Sequence, residues 1–331
     1  MKKIFYLVLG VAALASCQHD VVYEVDYNVT LDKDNTYFVG EPVKFNFTGE
    51  VDNIVFYSGE IGSQYMYRER YEVSAAEIES VALELNLEGQ WGFSGGLDIY
   101  YTNTFNGLNG SDQDSDRKIL NDMLLADMAD WEKIEWPEKE SKVEVSLKES
   151  IPLEKYENLS LAFYWHPVFS ASSAQRTYLV SGKFLLGMKG LSDPLAVSFS
   201  SLKFTTVMMN EQIKDAYMTN NGAGSVLFDR KTTFTNSKAP ADIVFKGPSA
   251  GFEYGVQGWV VATLPKVENV PVDPDRGEAI KNLQNYLHSY EYTWTKPGTY
   301  KVTFVGRNEN YASSSEEVIE YTITILEKPV E

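Results

Sequence analysis

Tyr290, Tyr292 and Trp294 alternate with polar residues, Lys296-Pro297-Gly298 interrupts, and Tyr300, Val302 and Phe304 alternate again. A period of two on both sides of a break specifies two half-buried strands. Pro297 presets φ and Gly298 supplies φ > 0, so the break is a tight turn. Ile319, Tyr321, Ile323 and Ile325 lie on one face of a third strand. Three strands that each bury only one face need a second sheet to cover them. Nothing immediately upstream supplies it. The other end of the chain does: Tyr23, Val25, Tyr27, Val29 and Leu31 alternate, then Val43, Phe45 and Phe47, then the run Asn53 to Tyr57. A further polar strand is expected from Gln64 to Val73.

Composition agrees with β structure, since the chain holds 21 Tyr and 17 Phe. The formal net charge of −18 argues against nucleic acid and anionic membrane as direct partners. Residues 1–16 read as a processing signal. Lys2 and Lys3 precede the apolar run Ile4–Ala15, which is too short to span a bilayer. Leu14-Ala15-Ser16-Cys17 resembles the bacterial lipobox, and Cys17 is the single cysteine in the chain. That resemblance implies lipidation at Cys17 and a body held by lipid with the rest in water. One acid, Asp20, follows it, a poor match to the acidic export signal of surface lipoproteins.

Val39-Gly40-Glu41-Pro42-Val43-Lys44-Phe45 and Ile54-Val55-Phe56-Tyr57-Ser58-Gly59-Glu60 resemble the first half of a PKD (polycystic kidney disease) domain, a small immunoglobulin-like sandwich. Trp294 to Val302 resembles its Y-x-x-P-G-x-Y-x-V end. The chain departs from the family at the W-D-F-G-D-G turn, where it has Phe56-Tyr57-Ser58-Gly59-Glu60. The expectation is an all-β protein. A discontinuous immunoglobulin/PKD-like sandwich (17–77 and 269–331) encloses an inserted jelly-roll sandwich (78–268) that carries one helix. Two separate sandwiches in series are the alternative. In the insert, Val81–Leu87, Leu97–Tyr101, Val143–Leu147, Leu159–Trp165 and several later runs alternate as strands. The helix is expected over Asp116–Asp130, with Ile119, Leu120, Met123, Leu124 and Met128 on one face, lying over one end of the sandwich. Shorter helical turns are expected at Glu211–Met218 and Gly277–Asn285.

Together with Gly258-Trp259-Val260-Val261 and Asp275-Arg276-Gly277, these motifs resemble a family of Bacteroidota lipoproteins known as a domain of unknown function. That family is associated with starch-utilisation-type glycan uptake. The resemblance implies an outer-membrane, cell-surface location, a non-catalytic glycan-binding role, and a glycan or outer-membrane uptake proteins as partners. A structural or adhesin lipoprotein with a protein ligand is the second expectation. A glycoside hydrolase, which needs two carboxylates across a cleft, ranks last.

Catalytic motifs are sparse. Gly92-Phe93-Ser94-Gly95-Gly96 satisfies G-x-S-x-G, but a strand-like run follows it where a nucleophile elbow needs a helix, so it reads as a glycine turn. Of the three histidines, none forms an H-E-x-x-H pair. His166 reads as a solvated loop residue. Asp112, Asp114 and Asp116 are spaced to converge on calcium if the backbone curls, but Arg117 and Met123 exclude an EF-hand. The alternative is an acidic loop capping the helix. No other cofactor is indicated. Sugar faces stack on loop aromatics. The candidate binding set is Trp131, Trp136 and Phe169 with polar Asn106, Asp112 and Arg176, while Trp165, Trp259 and Trp294 are strand-phase and belong to cores.

Overall fold

The computed structural model describes residues 22–89, 92–167, 177–209, 228–229, 243–246 and 257–328. The signal segment, Cys17, Phe169, Arg176 and the turn expected at Glu211–Met218 lie outside the described residues. The chain divides into two compact units, one made of residues 1–72 and 271–331, the other of residues 73–270. We call them the terminal and the inserted unit.

The terminal unit opens with β1 (Asp26–Leu31), β2 (Thr36–Phe38), β3 (Pro42–Glu50) and β4 (Asn53–Tyr57). After β5 (Glu72–Ser74) the inserted unit runs through β6 (Ile78–Gly89), β7 (Leu97–Thr102), the helix α1 (Gln113–Leu125), β8 (Glu132–Lys133), β9 (Glu144–Ile151), β10 (Ser160–Trp165), β11 (Thr177–Met188), β12 (Leu195–Ser198), β13 (Thr205–Met208), β14 (Phe228–Asp229), β15 (Ile243–Lys246) and β16 (Gly258–Thr263). The chain returns through β17 (Asn269–Pro271) to β18 (Glu278–Lys281), β19 (Ser289–Thr293), β20 (Gly298–Glu309) and β21 (Ser314–Leu326). No described helix is long and apolar enough to cross a membrane.

In the terminal unit, β1-β3-β19 forms a three-stranded sheet and β18-β4-β20-β21-β2 a five-stranded one. Alternation decides which side chains face inward. From the first sheet, Val43, Phe45 and Phe47 point in; from the second, Ile54, Phe56, Val302, Phe304, Ile323 and Ile325 do. Phe45 meets Phe304 edge-on at 4.9 Å between ring centres, and Phe47 meets it at 5.4 Å. Each such buried ring stabilises the fold by about 1.5–3 kcal/mol relative to leaving it in water. Trp294 is fully buried in the same cluster. The Tyr27 hydroxyl donates to the Phe304 carbonyl at 2.9 Å, tying β1 to β20. Every member of this core belongs to the terminal unit and comes from one or other end of the sequence.

Two expectations for the terminal unit are corrected. Gln64–Val73 is not one strand: Tyr65–Tyr67 forms a short 3-10 turn. Gly277–Asn285 is not helical at its start, because β18 pairs antiparallel with β4, Glu278 opposite Phe56.

In the inserted unit, the described strands form two sheets, ordered β13-β16-β10-β7-β8 and β14-β15-β11-β6-β9 with β12 beside β11. Leaving aside β8, β12 and β14, each of which pairs with its neighbour in sequence, the strands β6, β7, β9, β10, β11, β13, β15 and β16 alternate between the two sheets, in the manner of a jelly roll. Phe163 and Trp165 of β10 face Phe245 of β15 across the core, with centroids 5.9 and 5.6 Å apart. Gly92, Gly95 and Gly96 all have positive φ, at 77°, 83° and 84°. They turn the chain into β7, so the G-x-S-x-G stretch is a turn before a strand.

The single α-helix among the described residues begins at Gln113, three residues before the expected start. It ends where Asp127 and Met128 both take φ 53°. Its apolar side, Leu120 with Met123 and Leu124, packs on Ala162, Val207, Trp259 and Val261. Those four side chains lie on the outer face of the β13-β16-β10-β7-β8 sheet, so the helix covers part of that face rather than an end of the sandwich.

Candidate functional site

The sequence-derived candidates separate in space. Trp136 is buried, with its ring edge-on to Phe93 at 5.1 Å and its Nε1–H donated to the Leu97 carbonyl at 3.1 Å. It is a core residue, and no sugar can stack on it. Trp131 is half-buried and rests against Phe105 at 5.3 Å beside the helix. Asn106 is exposed next to Phe105. Phe169 and Arg176 are outside the described residues.

The acidic triad does not converge. Asp112 is the helix N-cap, and its Oδ1 accepts the N–H groups of Asp114 and Ser115 at 3.2 and 3.1 Å. Asp116 is fully buried and turns back, accepting the N–H groups of Asn109 and Gly110 at 2.7 Å each. Asp114 pairs with Arg117. Each carboxylate is committed to a different donor, and among the described residues no cluster of three acidic, histidine or cysteine side chains can hold a metal ion. Asp112, Asp114 and Asp116 are therefore not gathered as the calcium reading would need, and the acidic loop caps the helix, as the other reading has it.

A different group gathers on the outer face of the same sheet. The residues that alternate with the core side chains of β7 and β10 are Asp98, Tyr100, Tyr164 and His166, the last just past the strand end. Register places Tyr164 opposite Asp98 on one neighbour and opposite Trp259 on the other. Tyr164 stacks on Trp259 at 4.4 Å and 19°, and on His166 at 4.6 Å and 29°. Two near-parallel rings at such distances occupy both faces of Tyr164. Tyr100 lies 6.2 Å from Trp259, its ring tilted by 40°, and is half-buried.

Asp98 anchors the polar end of this stack. Its Oδ2 lies 2.7 Å from His166 Nε2 and its Oδ1 2.7 Å from Lys133 Nζ. Lys133 also reaches Glu138 Oε1 at 2.9 Å. Burial alone would raise the Asp98 pKa, but the hydrogen bonds and charges of His166 and Lys133 outweigh it and hold the group at about 2. Burial would lower Lys133, and Asp98 and Glu138 instead hold it above the ordinary lysine value. Both are therefore fixed charges near neutral pH, suited to accepting and donating hydrogen bonds and poorly suited to proton transfer. His166 is thus not a solvated loop residue.

The sequence signal for this face was parity. Once Leu97, Ile99, Leu161 and Phe163 are assigned inward, Asp98, Tyr100 and Tyr164 must point outward together. Which outward residues meet depends on register, and Trp259 enters from nearly a hundred positions away in the chain.

Residues 16–149 match the model of a family described as a domain of unknown function (DUF5017). No curated protein and no solved structure matches the chain. The matched stretch runs from β1 through most of β9, so what the comparison establishes is similarity to that family over the opening strands of the terminal unit and the first part of the inserted unit.

Proposed function

We propose that this is an outer-membrane lipoprotein, lipid-anchored at Cys17 and exposed at the cell surface, that captures a glycan without chemistry for a neighbouring uptake complex. The lipobox-like Leu14–Cys17 stretch and the family likeness support the location. The observation that carries the binding role is the outer sheet face of the inserted unit. There a half-buried tyrosine, Tyr100, packs near Trp259 beside a fixed carboxylate and a fixed ammonium. A pyranose has an apolar C–H face and a rim of hydroxyls. The first suits a tyrosine ring, the second suits Asp98, His166 and Lys133. Tyr100 packs with Trp259 against the cluster under the helix, so little side-chain freedom is lost on binding.

The test is affinity electrophoresis of the chain from residue 18 onward through a broad panel of polysaccharides. Retardation by at least one polysaccharide is expected, weakened about tenfold by Tyr100→Ala and by Asp98→Asn. A folded protein that no polysaccharide retards overturns the reading.

A further inference from the structure

The terminal unit carries a groove that the proposed site does not use. It runs along the outer face of the β18-β4-β20-β21-β2 sheet, under the overhanging turn that holds Tyr65 and Arg68, and encloses about 470 Å3. Small-molecule sites span about 300–1,000 Å3. Its floor is apolar: Val55, Ala279 and Val305. Beside the floor, the Tyr57 and Tyr65 rings meet edge-to-face at 5.3 Å, and the Arg68 guanidinium lies 4.0 Å over the Tyr65 ring. The rim is charged, with Arg68, Lys281 and Arg307 set against Glu69, Glu309 and Glu316.

Sequence motifs that the inserted unit's site leaves unexplained build this groove. Asp275, 6% exposed, accepts the Gln64 N–H at 2.8 Å through its carboxylate. The Asp275 N–H donates to the Tyr67 carbonyl at 3.2 Å, and the Arg276 N–H to the Gly62 carbonyl at 3.1 Å. Those three bonds pin the turn that forms the wall. Gly277 completes the fit: a Cβ there would lie 2.4 Å from Val55 Cγ1 and 2.8 Å from Tyr57 Cε2. Asp275-Arg276-Gly277 and the Val55–Tyr57 strand are thus a clasp and the floor it closes on, and the groove is preformed.

We propose that this groove is a saccharide-binding site, separate from the Tyr100 site, that takes a neutral pyranose unit. This rests on the proposed function for its ligand class and adds a second site on the other unit. Charge balance selects neutrality. Three cations face three carboxylates, and Arg307 is already engaged, its Nε donating to Glu316 at 3.2 Å and its Nη1 3.7 Å from Glu309. An anion would meet those carboxylates, a cation those guanidinium and ammonium groups. A wholly apolar ligand would strip water from six charged side chains without replacing it. A sugar ring satisfies both parts: its C–H face lies on Val55, Ala279 and the tyrosines, and its hydroxyls bridge the paired charges of the rim. Lys281 Nζ, held by the carbonyls of Asp52 and Asn282 at 3.1 and 3.3 Å, supplies a donor pre-oriented by backbone.

The experiment uses the chain from residue 18 onward with methyl-labelled valine, titrated with maltohexaose, xylohexaose, mannohexaose and, as the acidic arm, trigalacturonate. At least one neutral hexasaccharide is expected to shift the Val55 and Val305 methyl signals. Ala279→Trp fills the groove from an exposed position, and Tyr65→Ala removes its wall. Each is expected to weaken that binding at least about tenfold at an unchanged melting temperature, whereas Tyr100→Ala leaves it intact. Silent Val55 and Val305 methyls with every neutral sugar, equal affinity in Ala279→Trp, or a preference for trigalacturonate each overturn the groove assignment. If the methyls stay silent while Tyr100-dependent binding persists, the groove falls and the proposed function stands.

Discussion

Asp98 lies between an ammonium and an imidazole, and that position sets both its charge and its part in stability. Its folded pKa of about 2 is below the usual carboxylate value of about 3.9. A carboxyl whose pKa is depressed by folding stabilises the native state above its unfolded value, and that contribution is lost as pH falls through the folded value. The working window is therefore about pH 4 down to about pH 2. Asp98→Asn removes the charge and leaves Lys133 with Glu138 alone. We expect Asp98→Asn to melt below the wild type at pH 7, with the gap closing as pH drops from 4 to 2. Thermal melts at pH 7, 4 and 2.5 measure it. A gap that is constant across that range would show that the ion pairs contribute nothing and that only the hydrogen-bond geometry was lost. Because Lys133 is held protonated and Asp98 ionised near neutrality, the proposed sugar contacts keep the same polar partners there.

At the scale of elements, α1 shows how one stretch of acids can be read in two ways. Asp112, Asp114 and Asp116 have metal-like spacing, yet each has a separate backbone or arginine partner. Removing the cap with Asp112→Ala should cost about 1 kcal/mol. Asp116→Ala removes a fully buried carboxylate and leaves the two N–H groups it accepts without that partner, and should cost more, about 2–3 kcal/mol. Urea melts give both numbers, and the same melts in calcium and in chelator should superimpose; a rise in stability with calcium would restore the metal reading. The residue pattern made the helix legible through Leu120, Met123 and Leu124, but neither its first turn nor its end, since it stops at Leu125 and Met128 lies beyond it with φ 53°. Asp116 looked like the residue near its start, and only the fold shows it turning back to Asn109 and Gly110. Strand faces were legible in the core strands, from Phe45 and Phe304 to Phe163, because parity is local, although the alternation over Gln64–Val73 belongs largely to a turn. What parity omits is partnership. Glu278-Ala279-Ile280-Lys281 has nothing locally that forbids a helical turn, and pairing with β4 makes it a strand. Trp136 looked like a loop aromatic because its turn is polar, while its ring reaches back to Phe93 and Leu97. Tyr100, a better candidate, was hidden by the core residues on either side of it.

At the scale of the whole molecule, the terminal unit is made of two segments far apart in sequence. The division falls at 72/73 and 270/271, where sequence reading set 77/78 and 268/269. The ends of each unit are already close. Within the inserted unit the Ala75 N–H donates to the Glu268 carbonyl at 2.8 Å, and within the terminal unit the Val272 N–H donates to the Tyr71 carbonyl at 3.0 Å. An insert whose ends meet adds little closure cost to its host. The terminal core, in turn, draws Val43, Phe45, Phe47, Ile54 and Phe56 from one segment and Trp294, Val302, Phe304, Ile323 and Ile325 from the other, so neither segment has a core alone. Joining residues 22–72 to 271–328 through a short Gly-Ser loop should therefore give a protein that unfolds cooperatively in urea and shows dispersed amide signals. A chain that stops at residue 270 should lose the terminal unit's core while β6–β16 keep theirs, giving a spectrum in which part of the chain is dispersed and part is not. Should the spliced protein remain unfolded while residues 73–270 fold on their own, the terminal unit would depend on the insert for more than the placing of its ends. The view that the two segments specify that sandwich between themselves would then have to be abandoned.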